Sequence, residues 1–141
     1  MKILIINGPN LNLLGKREPE IYGNMDFDTY LKQLKKAFPT IQIDYYQTNH
    51  EGDIIDKLQE ADTQYNGIIL NPAAYTHTSI AIADCIKAME QPVIEVHISD
   101  IKKREAYRQH SYISPVATHV IMGKGLPGYQ EAIDFLVNRH Q

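Results

Sequence analysis

The chain has 141 residues, 43% of them hydrophobic and 22% charged, with a net charge of −3 at pH 7 and a sequence pI near 6.0. That length suits one domain spanning residues 1–141, and the slight acidity excludes the basic footprint of a nucleic-acid binder. No run reaches membrane-spanning length, only Ile3–Ile6 separates Lys2 from Asn7, too short for a secretory leader, and the lone Cys85 has no disulfide partner, so the chain is read as cytoplasmic.

Lys2–Ile6 is an aliphatic run and the first expected strand. The stretch Asn7–Gly23 then shows no period and carries Arg17 and Tyr22 between Gly15 and Gly23. A solvated surface loop and a lid over a site both fit it. Phe27, Leu31, Leu34 and Phe38 fall on one helical stripe that Pro39 ends. Ile41–Gln47 alternates, as an edge strand does, and Ile54, Ile55, Leu58 and Ala61 mark a second helix with Asp53 near its start. The third strand, Gly67–Leu70, runs into Asn71-Pro-Ala-Ala-Tyr-Thr-His-Thr-Ser79, more hydrogen-bonding chemistry than a structural turn needs. Ser79–Met89 follows as a helix capped by Thr78 or Ser79. Val93–His97 is the fourth strand, Ile101–Arg108 a short, charged, exposed helix, and His119–Met122 the fifth strand. Gly125–Gly128 leads into a last helix marked by Tyr129, Ala132, Ile133 and Leu136.

Alternating strands and helices imply parallel pairing with right-handed crossovers, hence an α/β three-layer sandwich. With five strands the expected order is flavodoxin-like, 2-1-3-4-5, and ligands in such sheets sit beyond the carboxyl ends of the strands. Those ends carry Asn7–Asn10, Thr48–Gly52, Asn71–Ser79, His97–Ser99 and Gly123–Gly125, so the polar chemistry gathers on one rim. An enzyme is the leading class.

Glu95 and His97, two apart on a strand, share a face, and a carboxylate beside an imidazole fixes its tautomer and suits it to acid–base work. A buried structural pair is the bland reading; the place at the end of a central strand favours function. His50, His77, His97, Glu51 and Glu95 lack the spacing that sets two metal ligands on one element, so no metal is expected. Gly123-Lys-Gly-Leu-Pro-Gly128 misses both phosphate-loop spacings and reads as a tight turn. Lys102, Lys103, Arg104 and Arg108 form a basic patch, a solvated face or a hold for an anion. Cys85 sits among Ile82, Ala83 and Ile86 and reads as core. A flavin-binding module would want a Ser, Thr and Gly-rich loop after the first strand, which is missing.

Several blocks occur in one order: Asn7-Gly-Pro-Asn-Leu-Asn-Leu-Leu-Gly, Arg17-Glu-Pro, Ile21-Tyr-Gly, Asn49-His-Glu-Gly, Asn71–Ser79, Glu95-Val-His-Ile-Ser, Arg104-Glu and Gly125 to Tyr129. Together they make the chain resemble the type II 3-dehydroquinate dehydratases. The resemblance implies a cofactor-free hydro-lyase that turns 3-dehydroquinate into 3-dehydroshikimate by anti elimination through an enolate, assembled as a dodecamer of four trimers. It casts Tyr22 as proton acceptor, Arg17 as the group that acidifies Tyr22 and stabilises the transition state, and His97 as proton donor oriented by Glu95. It gives Asn12 the enolate oxygen, directly or through water, and assigns substrate binding to Asn71, His77, Arg108 and the amides of Ile98 and Ser99. Asp84 would act across a trimer interface, and Arg104 would lie near the site. Ala83 stands where the family often has Arg, a departure in the intersubunit ion network.

Overall fold

A computed structural model describes residues 1–16 and 24–140. Five parallel strands, β1 (Lys2–Asn7), β2 (Gln42–Gln47), β3 (Gly67–Asn71), β4 (Val93–His97) and β5 (His119–Met122), lie in the order β2-β1-β3-β4-β5. The expected flavodoxin-like topology is therefore present, with β2 on an edge. Four helices, α1 (Phe27–Ala37), α2 (Glu51–Gln64), α3 (Ile80–Ala88) and α4 (Pro127–His140), cover the sheet.

The period of two along each strand divides the core into two layers. Ile3, Ile5, Ile69, Ile94 and Val96 pack against Phe27 and Leu34 of α1 and Tyr129, Ile133 and Leu136 of α4. Leu4, Ile6, Ile68, Leu70 and Val93 pack on the other face against Ile54 and Leu58 of α2 and Ile82 and Ile86 of α3. Strands buried on both faces explain why β1 and β3 read as aliphatic runs, whereas β4 interrupts its own with Glu95 and His97. Helix starts follow local capping: Asp26 accepts from the Thr29 amide at α1, and Ser79 accepts from the Ile82 amide at α3. Cys85 lies in the core as read.

Parity also decides which rim residues point where. Asn7 and Asn71 are paired in register and share the α1/α4 side with Ile5 and Ile69, whereas Glu95 and His97 continue the α2/α3 side of Val93. The two faces deliver different side chains to one end of the sheet.

Gly8 lets β1 and β3 leave the sheet side by side. Its amide donates to the Asn71 carbonyl at 2.8 Å, and a Cβ there would meet the Pro72 carbonyl oxygen at 2.7 Å. That neighbour is backbone, which cannot swing aside. Gly8→Ala should cost about 1–3 kcal/mol, read as a lower urea midpoint at unchanged m-value; an unmoved midpoint would mean that the two loops separate freely.

The segment after β4 corrects one expectation. Ile101–Arg108 is not a single helix but two 3-10 turns, Ile101–Lys103 and Ala106–Arg108. Asp100 caps the first through the Lys102 amide, and Arg104 and Glu105 then turn extended (φ −91°, ψ −178° and φ −54°, ψ 150°). The break has a cause in side-chain bonding: Glu105 accepts from Tyr107 and Arg108, so its carboxylate holds the second turn from outside. Nor is the segment wholly exposed, since Ile101 is buried.

The glycine-rich stretch before α4 is the tight turn expected. Gly123 and Gly125 adopt φ of 78° and 66°, a region glycine enters without strain. Their amides are spent on the protein itself, Gly123 on the Ser99 carbonyl (3.1 Å) and Gly125 on that of Ile98 (3.0 Å). The turn therefore clamps the loop leaving β4.

Candidate active site

A cleft of about 640 Å³, counting its open mouth, lies at the carboxyl ends of β1, β3 and β4. Among the described residues its polar lining is Asn10, Asn71, His77, His97, Ser99, Arg104 and Arg108, with no carboxylate, so it favours an anion.

His97 forms part of the floor. Its Nε2 is bonded to Glu95 Oε2, and a carboxylate only accepts, so the ring proton sits on Nε2. Nδ1 is left as the ring nitrogen able to reach a ligand. Glu95 is fully buried and takes two more donors, Ser111 Oγ on Oε2 at 2.9 Å and Ser114 Oγ on Oε1 at 2.6 Å. Burial opposes its ionisation, but the bond and charge of His97 and the two serine hydroxyls prevail and hold the carboxyl below its ordinary value of 4.5.

A depressed carboxylate contributes stability above its unfolded value of 4.5 and loses it as pH falls through the lower folded value. Glu95→Gln should therefore flatten the acid limb of the stability curve below about pH 4.5. Urea midpoints measured from pH 3 to 7 check this, and parallel curves for wild type and variant would contradict it.

His77 comes from the 3-10 turn Ala73–His77 after β3 and lies across the cleft. Its Nδ1 donates to the His110 carbonyl at 2.7 Å. Burial lowers its pKa below 6.5, against the pull of the His110 bond, and the charges of His97, Arg108 and Arg104 push the same way. A neutral ring with its proton on Nδ1 presents Nε2 as an acceptor for a ligand hydroxyl.

Arg104 and Arg108 close the anionic side. Glu105 bridges them, 2.9 Å from Arg108 Nε and 3.5 Å from Arg104 Nε. Hydrogen bonds from its own amide, Tyr107 and Arg108 bring Glu105 down to about 2, so it is ionised throughout the physiological range. Arg104 Nη1 also donates to Ser99 Oγ at 3.2 Å, tying the guanidinium to the loop after β4.

Asn71 is held from the opposite face. Its Nδ2 donates to the Tyr129 hydroxyl at 3.0 Å, which in turn donates to Asn7 Oδ1 at 2.8 Å. Asn71 Oδ1 accepts from the Ala73 amide at 3.1 Å, and Ala73 stands at a φ of 53° that a residue with a Cβ enters only at a cost. The Asn71 amide thus links the α4 core to the strained turn that aims His77.

Asn71, His77, His97, Ile98, Ser99, Arg104 and Arg108 are brought together as expected, with Glu95 directly behind His97. Asn12 lies in a neighbouring hollow instead, with its Oδ1 3.5 Å from Gln47 Nε2. Asp84 is on the exposed side of α3, away from the cleft of its own chain. Arg17 and Tyr22 fall outside the described residues. Among the described residues no group of three His, Cys, Asp or Glu is arranged to hold a metal ion, and no helix is long and apolar enough to cross a membrane. Sequence reasoning missed Ser111, Ser114 and Tyr129 as parts of the site's frame, because two serines in a loop and a tyrosine on an apolar stripe give no chemical signal by themselves; Asn7 it placed on the rim.

The model of the family dehydroquinase class II matches residues 1–137. A 3-dehydroquinate dehydratase of Clostridium botulinum is 51% identical over 138 residues, 96% of this chain and 94% of that protein. The 3-dehydroquinate dehydratase 1 of Corynebacterium efficiens is 49% identical over 141 residues, covering 99% of this chain and 93% of that one. The crystal structure of a type II dehydroquinase from Butyrivibrio crossotus superposes with a TM-score of 0.94 at 48% identity, over 97% of each chain. Sheet order, the Glu95–His97 pair at the rim and end-to-end similarity agree, and the chain belongs to the class II dehydroquinases.

Proposed function

We propose that the cleft dehydrates 3-dehydroquinate to 3-dehydroshikimate by anti elimination, as one step of the route to aromatic compounds or of quinate breakdown. The observation that carries this reading is the buried Glu95–His97 pair on the floor of a cleft whose described lining has no carboxylate, in a chain half identical to named 3-dehydroquinate dehydratases. The substrate is a small cyclic ketone bearing a carboxylate and several hydroxyls, and each feature has a complement. The amides of Ile98 and Ser99, backed by Arg104, take the carboxylate; fixed backbone donors form an anion receptor without side-chain reorganisation. His77 Nε2, Asn71 and Arg108 engage the ring hydroxyls.

His97 gives a proton to the departing tertiary hydroxyl. Its bond to Glu95 steadies the imidazolium before transfer and the ring orientation after it. Tyr22 takes the proton beside the ketone. A free phenol titrates near 10, and a guanidinium such as that of Arg17 lowers a neighbouring acid by about 1–3 units. Proton loss places negative charge on the ketone oxygen, where one preorganised donor is worth about 2.7–4 kcal/mol. Asn12 supplies it through water, in keeping with its place in the adjoining hollow. No metal or organic cofactor takes part. A cytoplasmic dodecamer of four trimers, with Asp84 reaching a neighbouring subunit, belongs to the same reading.

The test is direct. Purified protein given 3-dehydroquinate, with chelator present, should generate the ultraviolet absorbance of a conjugated enone; no absorbance from folded protein would refute the activity.

A further inference from the structure

The turn formed by residues 110–114 touches the His77 imidazole and the Glu95 carboxylate behind His97 without lining the cleft. At one end the His110 carbonyl accepts the Nδ1 proton of His77 at 2.7 Å. At the other, Ser111 and Ser114 donate to the two carboxylate oxygens of Glu95 at 2.9 and 2.6 Å. Between them the Tyr112 amide donates to the Thr76 carbonyl at 3.0 Å, and Ile113 is fully buried in the α2/α3 core.

Proton bookkeeping makes the serine bonds directional. Ser111 Oγ accepts from the amides of Ile113 (3.1 Å) and Ser114 (3.0 Å), so its single hydrogen is left for Glu95. Ser114 reaches the other oxygen. With both oxygens occupied, the carboxylate cannot rotate about its Cγ–Cδ bond without breaking a bond, and its remaining direction on Oε2 is taken by His97 Nε2.

We propose that Ser111 and Ser114 are positioning residues of the reaction: through Glu95 they fix the ring orientation and proton placement of His97, while the same turn, through His110, fixes His77. The inference rests on the dehydratase reading for its consequence on rate, though not for its geometry. Among the described residues, His77, Arg104 and Arg108 line the same cleft as His97.

Ser114→Ala is the informative variant, since Ser111 also holds the turn's own amides. In protein carrying 15N-labelled histidine, wild type should show His97 protonated on Nε2 alone when neutral. Ser114→Ala should keep its circular dichroism, shift those ring signals toward mixed tautomers and lower kcat about tenfold or more, the scale of one hydrogen bond to a charged group. KM should change far less. Ser114→Thr, which keeps the hydroxyl, should restore both ring signals and kcat. Wild-type ring signals in Ser114→Ala overturn the proposal whether or not kcat falls, because the serine would then act elsewhere; failure of Ser114→Thr to restore them overturns it as well. Wild-type protein inert toward 3-dehydroquinate would refute the dehydratase reading and leave the ring signals to decide this one.

Discussion

His97→Asn should lower kcat by about 10²–10⁴-fold, the range that a positioned general acid supplies. Asn keeps a polar group on the Nδ1 side of the ring while carrying no transferable proton, and it gives up the Nε2 bond to Glu95. Glu95 retains Ser111 and Ser114, so the buried carboxylate is not abandoned. Removing a partner outright from a buried pair costs about 3–5 kcal/mol; with three donors before and at least two after, the loss here should fall below that range. Steady-state kinetics beside urea unfolding separate the two effects. A variant with kcat within a few-fold of wild type would move the acid elsewhere, with His77 the next imidazole in the cleft.

Tyr22→Phe should be as severe. The ring is kept, so circular dichroism and oligomer size should match wild type, while turnover falls to background because no phenolate can form. Under the proposed mechanism Arg17→Ala should weaken the same step and move the rise of rate with pH to higher pH, since a phenol without a neighbouring guanidinium ionises later. Stopped-flow absorbance at several pH values reads both. Near-normal turnover by Tyr22→Phe would remove the base from the mechanism while leaving the acid half intact.

How much of this was legible in the letters depended on how local the cause was. β1 and β3 announced themselves because strands buried on both faces are aliphatic, β4 through Val93, Ile94 and Val96 around Glu95, and β2 because an edge strand alternates. Boundaries slipped by one residue where a polar side chain ends a strand: Asn7 and Asn71 are still paired, though each looked like the start of a loop. Glu95 and His97 could be placed together because two-residue spacing on a strand is a geometric statement. The 101–108 segment misled because a run of Lys and Arg reads as helix, whereas the Asp100 cap and the Glu105 bridge, both side-chain effects, cut it into two turns. Ser111, Ser114 and Tyr129 were opaque for a different reason. Each meets its partner across 16 to 122 residues of chain, and no periodicity encodes such a meeting.

The resemblance supplied what periodicity could not, namely roles for residues whose types are common. It also named Asn12, which the fold seats beside Gln47 rather than in the cleft. On the proposed reading, a water between Asn12 and the enolate oxygen would reconcile the two.

What separates this mechanism from its rivals is geometry at the reacting carbon atoms: one proton leaves from one ring face, and the hydroxyl departs from the other. 3-Dehydroquinate carrying deuterium at only one of its two C2 positions, incubated with the enzyme and followed by mass spectrometry of the enone, reads this in a single experiment. Elimination should remove the hydrogen anti to the hydroxyl that His97 protonates and spare its neighbour. Loss of the syn hydrogen, or inactivation by borohydride in the presence of substrate as a lysine imine would show, would mean that His97 and Tyr22 do not share the work as described.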